Sequence, residues 1–144
     1  MIRRATQRDA TEVSRVFVAA RDEMSYLPVI SGEHRSLLGG WFIDRGPIWV
    51  AEEDGRVVGF SGVKDEELTH LYVDPVAQDR GIGSSLMEHA KTVSPERLEL
   101  WVFQKNEGAR RFYERHGFRL AKLTDGSGNM EKEPDALYEW TPGK

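Results

Sequence analysis

The sequence predicts an α/β fold of the mixed α+β kind, with a central mixed sheet and helices packed on both of its faces. Three observations predict it. Two apolar runs, Ile48 to Glu52 and Arg56 to Val63, flank Asp54-Gly55, a pair that favours the left-handed backbone of a tight hairpin. A further run, Leu68 to Val73, passes through Gly81-Ile82-Gly83 into an amphipathic helical stretch and then into another strand, the pattern of a βαβ crossover. The chain of 144 residues suits a single domain that buries roughly two thirds of its unfolded surface, with no repeat, low-complexity tract or linker to divide it.

The elements follow in order. Ile2 to Ala5 is a short strand, and Thr6 with Asp9 opens a helix by capping. Val13, Val16, Phe17 and Ala20 recur there at helical spacing, and the helix ends before Pro28. A second helix is expected after Ser31, striped by Leu37, Leu38, Trp41 and Phe42, weakened by Gly39 and Gly40 and finished near Gly46-Pro47. The hairpin strands come next, and Glu67 to Val73 is the strand stopped by Asp74-Pro75. Leu86, Ala90 and Val93 mark one helix face up to Ser94-Pro95, and Leu98 to Phe103 is a strand. Asn106 can cap the helix carrying Ala109, Phe112 and Tyr113, which closes at Gly117. Phe118 to Leu123 and Leu137 to Thr141 complete the sheet around a loop containing Gly126-Ser127-Gly128-Asn129.

Chemistry concentrates between the crossover strand and its helix, in Gln78-Asp79-Arg80-Gly81-Ile82-Gly83-Ser84-Ser85. Glycines let the strand turn sharply into a helix whose first N–H groups lack backbone partners, and such a mouth binds phosphate oxygens. The usual nucleotide motifs do not fit. A Walker loop needs Gly-Lys-Ser/Thr, and no Lys follows these glycines before Lys91. A dinucleotide fold would want a third Gly where Leu86 stands. A pyrophosphate ligand of another kind remains.

Gln78-x-x-Gly81-x-Gly83 after Leu71-Tyr72-Val73-Asp74-Pro75, then Asn106-x-x-Ala109-x-x-Phe112-Tyr113 and His116-Gly117-Phe118, resembles the GNAT superfamily of acyl-CoA-dependent N-acetyltransferases. The resemblance covers most of the chain and is weakest before Ile48. It implies a mostly antiparallel sheet in which the parallel strands Glu67 to Val73 and Leu98 to Phe103 splay apart. It implies acetyl-CoA as cosubstrate, an amine acceptor and direct transfer in a ternary complex. In such a gap the main chain of Leu71, Tyr72 and Val73 would bond the peptide-like pantetheine arm. Gln78, Asp79, Arg80, Gly81, Ile82, Gly83 and Ser84 would hold the pyrophosphate, and Asn106 would offer its amide to CoA. Asp79 is an unfavourable charge in that loop, so backbone dipoles must do most of the holding. Arg80 is expected on a phosphate.

Tyr113 is the catalytic acid the resemblance implies, since the leaving CoA thiolate needs a proton and a phenol can donate it. A base must take a proton from the acceptor ammonium, and Glu67 is the first candidate and His70 the second. A backbone N–H near Leu71 would polarise the thioester carbonyl. The family also implies that residues 24–43 and 125–135 wall the acceptor side. Glu131, Glu133 and Asp135 could attract a cation there, and Tyr26, Trp41 and Phe42 could line an apolar slot.

The remaining expectations come from composition. Twenty basic against twenty-four acidic residues, net −4, argue against a nucleic-acid binder. No cysteine is present, which excludes an acyl-cysteine route and thiolate metal sites, and the four histidines lack metal-ligand spacing, so no metal is expected. No run reaches the length of a membrane span, and a cytoplasmic protein that contacts no membrane is expected. The acceptor is expected to be a small-molecule primary amine, with a protein lysine or N-terminus as the alternative. A non-catalytic acyl-CoA sensor and a plain interaction module are the competing classes. Dimers are frequent in the family, which keeps a homodimer open.

Overall fold

The computed structural model describes residues 1–27 and 35–143. Strand β1 (Ile2–Arg4) leads through a short 3-10 turn, Gln7–Asp9, into helix α1 (Ala10–Asp22). The start is capped as its sequence requires: the Asp9 carboxylate accepts the Thr6 N–H at 2.9 Å and pairs with Arg3 at 2.8 Å. The expected limits of the first two helices at Pro28 and Ser31 lie outside the described residues. Helix α2 (Leu38–Arg45) carries the two glycines. Gly39 is less a weakness than a point of close approach. A Cβ there would lie 2.1 Å from the Ala10 carbonyl oxygen, and its N–H donates to Ser14 Oγ at 2.7 Å, so only glycine lets α2 lie this close to α1.

The hairpin follows as β2 (Ile48–Glu53) and β3 (Arg56–Lys64), turned by Asp54 and Gly55 with φ of 52° and 76°. A second tight turn, Asp65-Glu66, with φ of 52° and 66°, leads to β4 (Glu67–Val73) without any glycine. Helix α3 (Ile82–Val93), β5 (Leu98–Phe103), helix α4 (Glu107–Arg115), β6 (Arg119–Leu123) and β7 (Asp135–Trp140) complete the chain. The sheet order is β1-β2-β3-β4-β5-β7-β6, and every neighbouring pair is antiparallel except β4 with β5. Among the described residues no helix is long and apolar enough to cross a membrane.

Two layers of core hold the sheet. Val13, Val16 and Phe17 of α1 pack on Val50 and Phe60, with Phe42 of α2 beside them. On the other face Met87 and Ala90 of α3 meet Leu98, Leu100 and Tyr138. Leu86 and Met87 are wholly buried, each side chain contributing about 1.5–3 kcal/mol. Val93, expected on that face, is instead exposed, because the buried stripe of α3 runs Ile82-Leu86-Met87-Ala90 and leaves Val93 off its line. Helix α4 buries no residue fully. It is tied down instead by the hydroxyl of buried Tyr138, which accepts from Arg110 Nε at 2.9 Å and donates to Glu114 at 2.9 Å.

Candidate active site

The two parallel strands touch at only one register pair, Glu67 with Glu99, where the Glu99 N–H donates to the Glu66 carbonyl at 2.9 Å. Beyond it they separate. The Asp74 N–H bonds the Val58 carbonyl at 2.9 Å, and bonded pairs alternate along an antiparallel ladder, so Tyr72 and His70 spend their main-chain groups on β3. Those of Leu71 and Val73 therefore face away from β3, into the gap. Among the described residues β5 offers them no pairing.

The gap opens into a cavity of about 890 Å³, within the range of small-molecule sites. Leu71, Tyr72 and Val73 form one wall, and the glycine turn forms the next through Gln78, Asp79 and Gly81. Ile82, Gly83 and Ser84 line it at the start of α3. Ser85 makes the first helical bond, to Gly81 O at 3.0 Å, so the N–H groups of Ile82, Gly83 and Ser84 are the unspent donors of that helix mouth. The two glycines differ in purpose. Gly81 has φ +80° with no atom near its absent Cβ, so backbone conformation alone demands it. Gly83 has an ordinary φ, and a Cβ there would only brush the Phe112 ring at 3.5 Å, so its bareness leaves room above the mouth.

Asn106 and Tyr113 also line the cavity. Asn106 caps α4 through its side-chain oxygen, which accepts the Ala109 N–H at 3.2 Å. Tyr113 packs between Phe112 and Phe118, and its hydroxyl has no hydrogen-bond partner among the described residues. Burial first, and then Tyr72, raises its pKa well above the usual phenol value. The phenol therefore keeps its proton throughout the neutral range. Burial pushes Tyr72 up as well, to about 12.

His70 also lines the cavity. Its ring lies 4.3 Å from Phe42 and 5.9 Å from Phe60, and burial among them lowers its pKa to about 4. The imidazole is neutral near pH 7. Its Nδ1 lies 3.0 Å from Thr69 Oγ1, and in the tautomer that donates from Nδ1 to that hydroxyl, Nε2 can take a proton. Glu67 does not join this group. It sits at the pinned end of the strand pair, opposite Glu99, and the cavity wall begins one residue later at Leu68. Burial and the neighbouring Glu99 charge raise its carboxyl pKa. Arg80 is also outside the wall, because its guanidinium pairs with Glu53 at 3.2 Å.

The acceptor side differs from expectation in detail. Trp41 is 52% exposed under Arg45 and does not line the cavity, and Phe42 is spent on the core. Asp135 is engaged by Thr124 and Asn129 inside its own loop. Glu131 lies 3.6 Å from Arg21, and Glu133 lies 3.5 Å from Lys105. Tyr26 does line the cavity, edge-on to Phe103. Lys105, Trp101 and Phe103 are wall residues that sequence reasoning missed. The signal was there in β5: Trp101 and Phe103 alternate with buried Leu100 and Val102 and so must face the other way.

A sheet opened between two parallel strands, beside a bare helix mouth, suits an extended ligand with amides at one end and a diphosphate at the other. Coenzyme A has that form. Residues 44–120 match the acetyltransferase (GNAT) domain model. The peptidyl-lysine N-acetyltransferase YjaB of Escherichia coli is 31% identical over 123 residues, 83% of this chain and 82% of that protein. Its apo solution structure superposes with a TM-score of 0.79 at 26% identity, covering 99% of this chain and 98% of that one. Peptidyl-lysine N-acetyltransferase YiaC of the same organism is 41% identical over 73 residues, a match spanning 50% of this chain and 49% of that protein. The fold is shared with the PaiA N-acetyltransferase of Thermoplasma acidophilum in complex with coenzyme A, TM-score 0.77 at 22% identity, covering 99% and 98% of the two chains. The chain belongs to the GNAT acetyltransferases. It is an acyl-CoA N-acetyltransferase with acetyl-CoA as its cosubstrate.

Proposed function

We propose that the protein, as one acetyltransferase domain over residues 1–144, acetylates the side-chain amine of a lysine held in a polypeptide. Acetyl-CoA supplies the activated acetyl thioester. The observation that carries the reading is the single-residue contact between β4 and β5, which turns the main chain of Leu71 and Val73 toward the cavity that Tyr113 and His70 also line. Leu71 and Val73 hold the pantetheine arm, the mouth of α3 holds the diphosphate, and the Leu71 N–H polarises the thioester carbonyl. The lysine nitrogen forms its bond to the acetyl carbon as the carbon–sulfur bond breaks. Tyr113 gives its phenol proton to the departing sulfur, and the phenolate regains a proton from the acylated nitrogen, directly or through water, as the neutral amide forms. His70, neutral and in the tautomer that donates from Nδ1 to Thr69, takes the ammonium proton at Nε2 directly or through one water, a role for which Glu67 is poorly placed. The small-molecule amine expected from the sequence gives way to a protein lysine because two relatives carry that activity in their names.

Free-thiol release with a lysine peptide tests this reading. Tyr113→Phe should lower kcat about a hundredfold, the low end of general acid catalysis, while KM for acetyl-CoA changes by less than about twofold. Equal turnover for variant and parent removes Tyr113 from the acid role. An acyl-CoA sensor would instead bind CoA and release no thiol with any amine.

A further inference from the structure

His116, which opens the His116-Gly117-Phe118 motif, has no part in the transfer described above, yet its ring stands directly behind the mouth of α3. Ser84 is exposed and lines the cavity there, and its Oγ lies 3.2 Å from His116 Nε2. The other ring nitrogen, Nδ1, lies 3.4 Å from Oε2 of Glu88, which follows Ser84 by one turn of the same helix. Three contacts hold His116 in place. Its ring tilts against Phe112 with centroids 4.5 Å apart, its carbonyl accepts from Lys91 Nζ at 2.7 Å, and its main-chain N–H donates to the Tyr113 carbonyl at 3.0 Å.

The placement of protons in this row follows from its partners. A carboxylate such as Glu88 only accepts, so the neutral imidazole carries its proton on Nδ1 and presents a bare Nε2, to which the Ser84 hydroxyl donates. A phosphate oxygen arriving at the mouth is a second acceptor for that one hydroxyl proton. Both cannot have it. If the hydroxyl turns to the phosphate, a lone pair on Oγ meets the lone pair on Nε2. Moving the ring proton from Nδ1 to Nε2 relieves that clash only by opposing Nδ1 to Glu88. A second proton on the ring satisfies every group: Nδ1–H donates to Glu88, Nε2–H to Ser84, and the Ser84 O–H to phosphate. In the free protein that proton is absent near pH 7. Burial first, then the charge of Lys91 and last that of Arg115, outweigh Glu88 and hold the His116 pKa below the ordinary histidine value.

We propose that His116 is a positioning residue for acetyl-CoA: it takes a proton from solvent as the diphosphate arrives, donates through Nε2–H to Ser84 Oγ so that the serine hydroxyl turns onto a phosphate oxygen, and returns the proton when CoA leaves. The proposal rests on the placement of the diphosphate at the mouth of α3 given above. The main-chain N–H groups there remain the principal donors, and the hydroxyl adds one more whose direction His116 sets.

The test uses 3′-dephospho-CoA, which lacks the phosphate monoester that itself titrates at about pH 6, so the charge on the ligand's diphosphate stays constant. The His116 ring signal, followed by NMR in the intact protein, should titrate about one pH unit higher with the ligand bound, and Kd should tighten about tenfold as pH falls from about 8 to about 5.5. Ser84→Ala keeps the diphosphate charge at the mouth and removes the relaying hydroxyl, and should lose most of that rise. His116→Gln offers Ser84 a donor that does not titrate, and its Kd should change by no more than about twofold over the same range. A His116 pKa that stays put on binding, or that rises as far in Ser84→Ala as in the parent, overturns the relay while the diphosphate site stands. An undiminished pH dependence in His116→Gln does the same. Failure of dephospho-CoA to bind overturns the diphosphate placement and the relay with it.

Discussion

The proposed cofactor end of the cavity is walled mostly by main chain, in Leu71, Val73 and the first turn of α3, whereas the proposed acceptor end is walled by side chains such as Ala20, Met24, Tyr26, Phe103 and Lys105, drawn from α1, the segment after it, β5 and the turn that follows β5. Backbone groups are set by fold alone and bind one ligand shape. Side chains from distant segments can be exchanged without disturbing the sheet. A single scaffold can therefore keep its acyl donor fixed while its acceptor changes, and the two ends should respond differently to substitution.

The largest expected effect on acid stability concerns His70, which lines the cavity. Its imidazole is neutral in the fold with a pKa near 4, against about 6.5 when unfolded. Between those values the unfolded chain binds more protons, so stability falls as pH falls from 6.5 toward 4. Allowing for solvent at its half-buried ring, the loss from pH 7 to pH 5 is on the order of 1–2 kcal/mol. Urea midpoints across that range should show it, and His70→Phe should show correspondingly less. An identical acid dependence in the two proteins would mean that the imidazole is solvated and titrates normally.

Comparable in size is Gly81→Val, aimed at the backbone-built end. Nothing lies within 4 Å of the missing Cβ, so any effect must come from forcing a branched residue into φ +80°. That strain, about 1–3 kcal/mol, relaxes the turn and should weaken CoA binding roughly tenfold by calorimetry. The relative efficiency on two different amines should stay put. A change in amine preference instead would show that the two ends are coupled.

The same contrast explains what could be read in the sequence. The hairpin at Asp54-Gly55, strand Glu67–Val73, the cap at Asn106 and the turn at Gly117, with φ 89°, are local events whose residues stand next to one another, and all of them fold as their sequence requires. The helix mouth belongs to that group too. Tyr26, Lys105 and Glu133 carry no such local signature, since only the tertiary fold brings residues of three segments together. Sequence spacing also placed Glu67 and Arg80 near the chemistry. The structure separates both from the cavity, the first by a single residue at the pinned end of the gap and the second by the pull of Glu53 across the surface. Gly39 was legible as a glycine in a helix and illegible as the contact point with Ala10, because the partner is twenty-nine residues away in the chain.

The smallest expected effect sharpens the claim that dipoles rather than side-chain charges hold the diphosphate. Asp79 adopts a left-handed backbone, φ 67°, and its residue lines the cavity at the mouth of α3, where a carboxylate repels phosphate. Asp79→Asn removes the charge and keeps a residue that tolerates this conformation. KM for acetyl-CoA should fall about twofold to threefold, the scale of a solvent-screened interaction, and the gain should shrink as salt rises from 0.05 to about 0.5 M. If KM instead rises, the carboxylate is orienting the turn, and the loop's anion affinity depends on a side chain after all. If KM falls by the same factor at every salt concentration, the gain comes from reshaped backbone, and the N–H groups of Ile82, Gly83 and Ser84 were not fully presented in the parent.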